Sequence, residues 1–179
     1  QETAYFEIFD KMLDENIIEP IKSVEDPNNF HFIPHRPVIR EASALKPFKI
    51  RPVFNCSLSV RGSYSLNQSV PPMPDLLNKL LDLILTFRTN KYVTMGDIQP
   101  AFLQVKLKES DRNHFAFCLY RNEEFQYYRF SSVLFGFTLS PFFLFLVLNL
   151  HARKFAVDIG NMINNTHVLI STYVASSYL

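Results

Sequence analysis

The sequence predicts a protein of the α+β class, in which helices pack against an antiparallel sheet. Residues 5–18 carry apolar side chains at helical spacing with charged residues between them, which predicts an amphipathic helix that ends before Pro20. Residues 114–120 and 125–130 are β-favouring runs separated by a short polar segment, the pattern of a hairpin. A further helix, from Phe142 to about Phe155, is apolar enough to face a core.

The composition is typical of a folded protein with a dense aromatic core. The chain has 179 residues, of which 47% are hydrophobic, enough for one domain or for one multi-lobed piece of a larger polypeptide. Eighteen Phe and eight Tyr residues stand against no Trp and only four Gly. This composition excludes a disordered or low-complexity segment.

Basic residues concentrate in one part of the chain, although the net charge is only +1. Between His31 and Arg51, Glu41 is the single acid that opposes five cations. These cations are Arg36, Arg40, Lys46, Lys49 and Arg51. The cluster predicts a local electropositive lobe, with an ordinary solvated surface as the alternative interpretation.

The same region contains two extended segments. Residues 31–39 alternate β-compatible residues with prolines, which predicts a chain at a surface or at a sheet edge. Residues 48–55 predict a strand with cations on one face and apolar side chains on the other. The cations are Lys49 and Arg51, and the apolar residues are Ile50, Val53 and Phe54. Pro52 lacks an amide hydrogen and therefore restricts this strand to an edge.

Several features bear on the compartment. Cys56 and Cys118 lack CxxC spacing and lie in apolar or strand-like contexts, so we expect buried thiols in a reducing environment. The N-terminal residues do not resemble a secretory signal. The apolar run Leu139–Leu150 is shorter than the roughly 18 residues that cross a bilayer. We therefore expect an intracellular protein, cytoplasmic or nuclear, without membrane contact.

Asp97 is a candidate metal ligand. Tyr92, Val93 and Thr94 favour a strand, and Gly96 relaxes the backbone where that strand ends. Asp97 then presents a hard oxygen of the kind that Mg²⁺ prefers. An ordinary cap at the end of the strand is the alternative interpretation.

Four segments resemble, in order and spacing, the fingers and early palm of reverse transcriptases from BEL/Pao retrotransposons. They read HFIPHRPVIR at 31–40, KIRPVFNCS at 49–57, SLNQSVPP at 65–72 and LLDLILTFRTNKYVTMGDIQPAFLQVKL at 80–107. The family patterns are similar to "YLPHHPVI", "KLRVVFDAS", "SLNDxLxPGP" and "LLxxLLRFR", followed by motif A, "DIxxxFLQ". Four ordered matches are more specific than any one of them.

The last of these segments is preceded by a helix start signal. Pro74 and Asp75 are typical of a helix N-terminus, and residues 75–87 carry leucines around much of the helix circumference. This pattern predicts a helix packed beneath a sheet.

The resemblance implies an architecture and an activity. The fold would be a polymerase fingers–palm, with an antiparallel palm sheet backed by helices. Residues 1–90 would form the fingers and first palm helix, and residues 91–179 the palm, without a thumb or ribonuclease H segment. The family synthesises DNA on an RNA template, so its partners are an RNA/DNA template-primer and dNTPs, and its cofactor is Mg²⁺.

The resemblance also implies roles for individual residues. Asp97 would be the first catalytic aspartate and a metal ligand, and Phe102 the aromatic residue that excludes the sugar 2′-hydroxyl. Lys49 and Arg51 would bind the triphosphate. Asn55 departs from the family pattern, which has Asp after "VVF".

Residues 133–141, VLFGFTLSP, resemble motif B, "FG…SP". Phe135 and Gly136 would line the base and sugar pocket, because glycine lets the backbone approach the nucleotide. Pro141 would start the palm helix, where its missing amide hydrogen costs nothing. A plain turn and helix start is the alternative interpretation of this segment.

Motif C, which supplies the remaining metal ligands of the family, is degenerate here. In one alignment its four positions hold Tyr173, Val174, Ala175 and Ser176. In the other, residues 165–172 match "NxFYVDNLIST" with Asp-Asn deleted after Val168. Neither alignment provides an acid, because no Asp or Glu follows Asp158. Since one carboxylate cannot hold two Mg²⁺ ions, we expect weak or absent Mg²⁺ binding and no polymerisation.

Three hypotheses about function follow. The first is a reverse transcriptase-like domain of a retrotransposon Pol polyprotein whose degenerate active site is inactive. The second is a non-catalytic nucleic-acid-binding domain derived from a retroelement, in which the electropositive lobe grips a phosphate backbone. The third is an untranslated relic.

Overall fold

Helices and small antiparallel sheets make up the computed structural model, which describes residues 2–44, 46–59, 62–74, 80–89 and 96–162. The helices are α1 (Glu2–Asp14), α2 (Leu80–Thr89) and α3 (Ser140–Met162). The strands are β1 (Ile18–Pro20), β2 (His35–Arg40), β3 (Lys49–Phe54), β4 (Ala116–Arg121) and β5 (Glu124–Phe130). The fold therefore belongs to the α+β class, as predicted.

The chain divides into two compact units whose segments interleave. The first unit comprises Gln1–Pro71 and Phe102–Ser140, and the second comprises Pro72–Ala101 and Pro141–Leu179. The first unit contains the five strands and α1. The predicted division of the chain at residue 90 stays a prediction.

The predicted hairpin is confirmed as β4 and β5, which pair from Ala116 with Arg129 to Arg121 with Glu124. Asn122 and Glu123 form its turn with positive φ angles of 55° and 65°. Such angles are typical of a two-residue turn whose twist matches that of the strands. β1 adds to the other edge of β5, giving an antiparallel sheet in the order β1-β5-β4.

Several element boundaries differ from the prediction. Helix α3 runs from Ser140 to Met162, beyond the predicted end at about Phe155. Residues 114–115 belong to a 3₁₀ helix, Glu109–Phe115, rather than to β4. Helix α1 ends at Asp14 rather than at residue 18, because Asn16 adopts a left-handed φ of 53°. The amides of Asn16 and Ile17 bond to the carbonyls of Leu13 (3.0 Å) and Met12 (2.9 Å), which is a Schellman cap. The chain beyond the cap is therefore free to enter β1.

An aromatic cluster forms the core of the first unit. Phe117 is 0% exposed, and its ring contacts others supplied by α1, β2, β3 and β5. The centroid distances from Phe117 are 5.6 Å to Phe9, 5.6 Å to His35, 5.2 Å to Phe54, 5.6 Å to Tyr128 and 5.3 Å to Phe130. The aromatic residues thus join helix and strands through edge-to-face, tilted and stacked ring pairs.

Strands β2 and β3 form a separate two-stranded antiparallel ribbon. Residues 31–33 precede it and run along the edge of β4, where Phe32 bridges to Ala116. The predicted edge strands are therefore confirmed. Val53 is 42% exposed and shares a face with Lys49 and Arg51, so its predicted apolar placement is wrong. The strict alternation of a strand outweighs side-chain hydrophobicity here.

Two further burial predictions need correction. Cys118 is exposed, because it lies on the outer face of the hairpin, whereas Cys56 is buried as predicted. In α2, whose sequence pattern predicts packing beneath a sheet, four apolar side chains are exposed. They are Leu81 (65%), Ile84 (41%), Leu85 (54%) and Phe87 (52%). Within the described ranges, no helix has both the length and the apolar character needed to cross a membrane.

Candidate functional site

The Gly136 loop, defined as residues 134–138, is a tightly constrained turn that contains two of the predicted site residues. Gly136 has a φ of +93°, a region that side-chain-bearing residues rarely adopt. A methyl group on its Cα would lie 2.8 Å from the carbonyl oxygen of Phe54. Glycine is therefore required at this position for two reasons: the positive φ angle and the close approach to the end of β3.

Asn67 holds this loop from both sides. Its Nδ2 donates to the carbonyl of Gly136 (3.0 Å), and its Oδ1 accepts from the amide of Thr138 (2.9 Å). The same Nδ2 donates to the hydroxyl of Ser57 (2.7 Å). Sequence analysis did not select Asn67 as a site residue, although it stands in the SLNQ segment. The available signal was Ser65 with Gln68, a capping box that begins a short helix there.

Phe102 and Phe135 form an aromatic pair whose ring centroids are 4.7 Å apart in an edge-to-face arrangement. Phe102 is buried, with 8% of its surface exposed, whereas Phe135 is 59% exposed. An exposed ring on a buried partner is a suitable surface for stacking a base or sugar. The structure therefore brings Phe102, Phe135 and Gly136 together, and their predicted roles toward a nucleotide stay predictions.

The basic face of the β2–β3 ribbon is the second candidate element. Directly opposite residues of an antiparallel pair share a face, and on one face these are Arg36 with Val53, Val38 with Arg51, and Arg40 with Lys49. All six side chains are exposed. Their four positive charges make no ion pair with a described residue. This face can therefore receive a polyanion without first breaking internal ion pairs.

Asp97 belongs to the second unit, whereas Lys49, Arg51, Phe102, Phe135 and Gly136 belong to the first. It is exposed, and Nε2 of Gln99 donates to its Oδ2 at 3.3 Å. Among the described residues, no group of three His, Cys, Asp or Glu side chains is arranged to hold a metal ion. One exposed carboxylate does not by itself make an Mg²⁺ site, and the weak or absent Mg²⁺ binding expected from the sequence stays a prediction.

Several predicted residues lie outside the described ranges. They are Asp75 of the predicted helix start, Tyr92, Val93 and Thr94 of the predicted strand, Tyr173, Val174, Ala175 and Ser176 of motif C, and residues 165–172 of its other alignment. The strand before Asp97 and both alignments of motif C therefore stay predictions.

His35 ties three elements together within the first unit. Its Nε2 lies 3.0 Å from the carbonyl of Cys118, and its Nδ1 lies 2.7 Å from the hydroxyl of Tyr5. Because a carbonyl only accepts, Nε2 carries the proton and Nδ1 accepts from Tyr5. Burial lowers the pKa of His35, with an opposing contribution from the Cys118 carbonyl, and burial raises the pKa of Tyr5 to about 12. The imidazole is thus a neutral structural link rather than an exposed base.

A comparison of the chain with protein-family models finds no match, and a comparison with curated proteins finds none.

Proposed function

We propose that the chain is a reverse transcriptase-like domain of a BEL/Pao-type retrotransposon polyprotein, which binds nucleic acid and does not polymerise. The observation that carries this proposal is the convergence of separate sequence segments at the Gly136 loop. The segment ending in Phe54 contacts Gly136, the SLNQ segment supplies Asn67, and the motif A segment supplies Phe102. A chance set of motif-like strings would have no reason to meet at one turn.

The proposed fingers–palm roles follow the resemblance. Lys49 and Arg51 would neutralise phosphates, and Phe102 with Phe135 would contact the sugar and base. Asp97 would stand alone as an acid of the catalytic set, and one carboxylate cannot hold two Mg²⁺ ions. The proposed chemistry is therefore binding and orientation of a phosphate-bearing ligand, without phosphoryl transfer.

The basic face favours a second candidate, a non-catalytic nucleic-acid-binding domain. Its four cations alternate with two exposed valines, Val38 and Val53, which can contact sugars or bases between phosphate contacts. This arrangement needs neither a nucleotide pocket nor an acid. The two candidates agree on the ligand class and differ on whether a polymerase pocket persists.

Binding of a short RNA–DNA hybrid tests the property that both candidate functions share, which is nucleic-acid binding. We expect affinity to fall steeply between about 50 and 200 mM salt, because phosphate contacts release condensed counterions. Arg51→Gln should reduce the slope of log K against log salt by about 0.7–0.9, the loss of one phosphate contact. Lys11→Gln is the matched control, since Lys11 is an exposed cation on α1 that is 74% exposed at the side chain. An affinity independent of salt, or equal slopes for both variants, would contradict the proposal.

A primer-extension assay tests the inactive polymerase. The unmodified chain should give no product above background, because Asn, Ser, Thr, His and backbone oxygens bind Mg²⁺ weakly in place of carboxylates. Two altered chains restore acids: Ala175→Asp with Ser176→Asp, and an Asp-Asn insertion after Val168.

Each outcome of this assay separates two interpretations. Extension by one altered chain alone supports the polymerase pocket and identifies the correct alignment of motif C. Hybrid binding without extension by either altered chain favours the non-catalytic binding domain. Robust extension by the unmodified chain would show that the inactivity claim is wrong.

A further inference from the structure

Contacts other than those with the Gly136 loop hold the backbone of Asn67 in place. It lies in the 3₁₀ helix Leu66–Ser69, which begins at a capping box between Ser65 and Gln68. Leu66 is 6% exposed and anchors this helix, and the amide of Asn67 donates to the carbonyl of Cys56 at 3.0 Å. The backbone contacts therefore fix the point from which the Asn67 side chain extends.

Three hydrogen-bonding positions of the Asn67 side chain bond to the surrounding loops. Two are the amide hydrogens, which go to Gly136 and Ser57, and the third is the carbonyl oxygen, which receives the amide of Thr138. The two loop contacts bracket Phe137, which is 5% exposed and packs edge-to-face on Phe115 at 5.0 Å. Only a side-chain amide combines two donors with an acceptor at this reach.

The remainder of the loop is also fixed at its ends. The hydroxyl of Ser140 donates to the carbonyl of Leu134 (2.6 Å), and the amide of Val133 donates to the carbonyl of Val105 (2.8 Å). Phe135, by contrast, presents a 59% exposed ring from the middle of this rigid turn. The Asn67 contacts thus act on the backbone immediately beside the exposed ring.

We infer that Asn67 is the positioning residue of the Gly136 loop, holding Phe135 in the orientation that stacks on a nucleotide of the bound nucleic acid. The inference rests on the proposed function for its ligand. Asn67 acts through the loop and does not touch the ligand. A preorganised loop loses less conformational freedom when the ligand binds, so removing Asn67 weakens binding without removing a ligand contact.

The chain contains no tryptophan, so Phe135→Trp introduces a single fluorophore in the loop. In this background we compare Asn67→Ala and Asn67→Asp with the matched control Asn28→Ala. Asn28 bonds through its side chain to Asp26 on an exposed turn, and none of its hydrogen bonds within the described part of the chain reaches the Gly136 loop. Each protein is measured by tryptophan fluorescence anisotropy without ligand, by affinity for the RNA–DNA hybrid, and by urea unfolding.

Asn67→Ala should lower the anisotropy of the indole and weaken hybrid binding by about five- to tenfold at a temperature where the protein is folded. Asn67→Asp keeps the acceptor for Thr138, loses both donors and places a negative charge beside the Gly136 carbonyl, so its effect should be at least as large. Asn28→Ala should change neither quantity.

Unchanged anisotropy and affinity in both folded Asn67 variants would overturn the inference. If one Asn67 variant fails to fold, the other variant is compared with the parent protein. If the Phe135→Trp parent chain fails to bind the hybrid while the unaltered chain binds it, the affinity comparison is made without the reporter. If no chain binds the hybrid, the proposed function fails, whereas the anisotropy still shows whether Asn67 orders the loop.

Discussion

Gly136→Ala is expected to lower the free energy of unfolding by about 2–4 kcal/mol. Alanine at a φ of +93° is strained, and its methyl group would lie 2.8 Å from the Phe54 carbonyl oxygen. That oxygen belongs to the backbone of β3 and cannot rotate away, so loop or strand must shift. Urea unfolding followed by circular dichroism measures the loss.

Gly62→Ala separates backbone strain from the close contact with Phe54 as causes of the expected loss of stability. Gly62 also has a positive φ, +78°, but among the described residues no atom beyond its chain neighbours lies within 4 Å of the added methyl. It should cost only the conformational strain, about 1–2 kcal/mol. If both alanine variants lose equal stability, the close contact between Gly136 and Phe54 has no energetic consequence. A larger loss for Gly136→Ala, accompanied by weaker hybrid binding, would support a loop built around this contact.

Phe117→Ala should lower the free energy of unfolding by about 3–5 kcal/mol, the range for deleting a fully buried aromatic side chain. Phe117 is 0% exposed and contacts five rings from four other elements. Because a domain is stabilised by only about 5–15 kcal/mol in total, this loss should be visible as a large shift of the urea midpoint.

Phe125→Ala is the matched control on the same hairpin. Phe125 is 62% exposed and pairs only with Tyr120 across the strands, at a centroid distance of 5.0 Å, among the ring contacts described. Its removal should cost at most about 1 kcal/mol. A similar loss for both variants would contradict the assignment of Phe117 to the centre of the core.

Some elements followed directly from local patterns. The β4–β5 hairpin was predictable because two β-favouring runs flank a short polar turn, and α3 begins at Ser140 followed by Pro141, as its start signal indicates. The end of α1 was also locally encoded. Asn16 supplies the left-handed residue of the cap, but the apolar spacing that continues through Ile17 outweighed it in the prediction.

The basic face shows where a local pattern is insufficient. Alternation along β3 correctly placed Lys49 and Arg51 together, yet Val53 was assigned by its hydrophobicity and not by its position. The pairing of β3 with β2 then added Arg36 and Arg40 to the same face. Which cations join one surface depends on the register between two strands, and register is a property of the pair.

By itself, the sequence determined the α+β class, the hairpin, the exposed cations of β3 and the lack of acids after Asp158. Only the tertiary structure decided that Asn67 bonds to Gly136, 69 residues away, and that Gly136 passes against Phe54. Helix and strand preferences arise from neighbouring residues and can be recognised in a short window. A contact between distant loops forms only when the intervening elements pack, so no local pattern contains it.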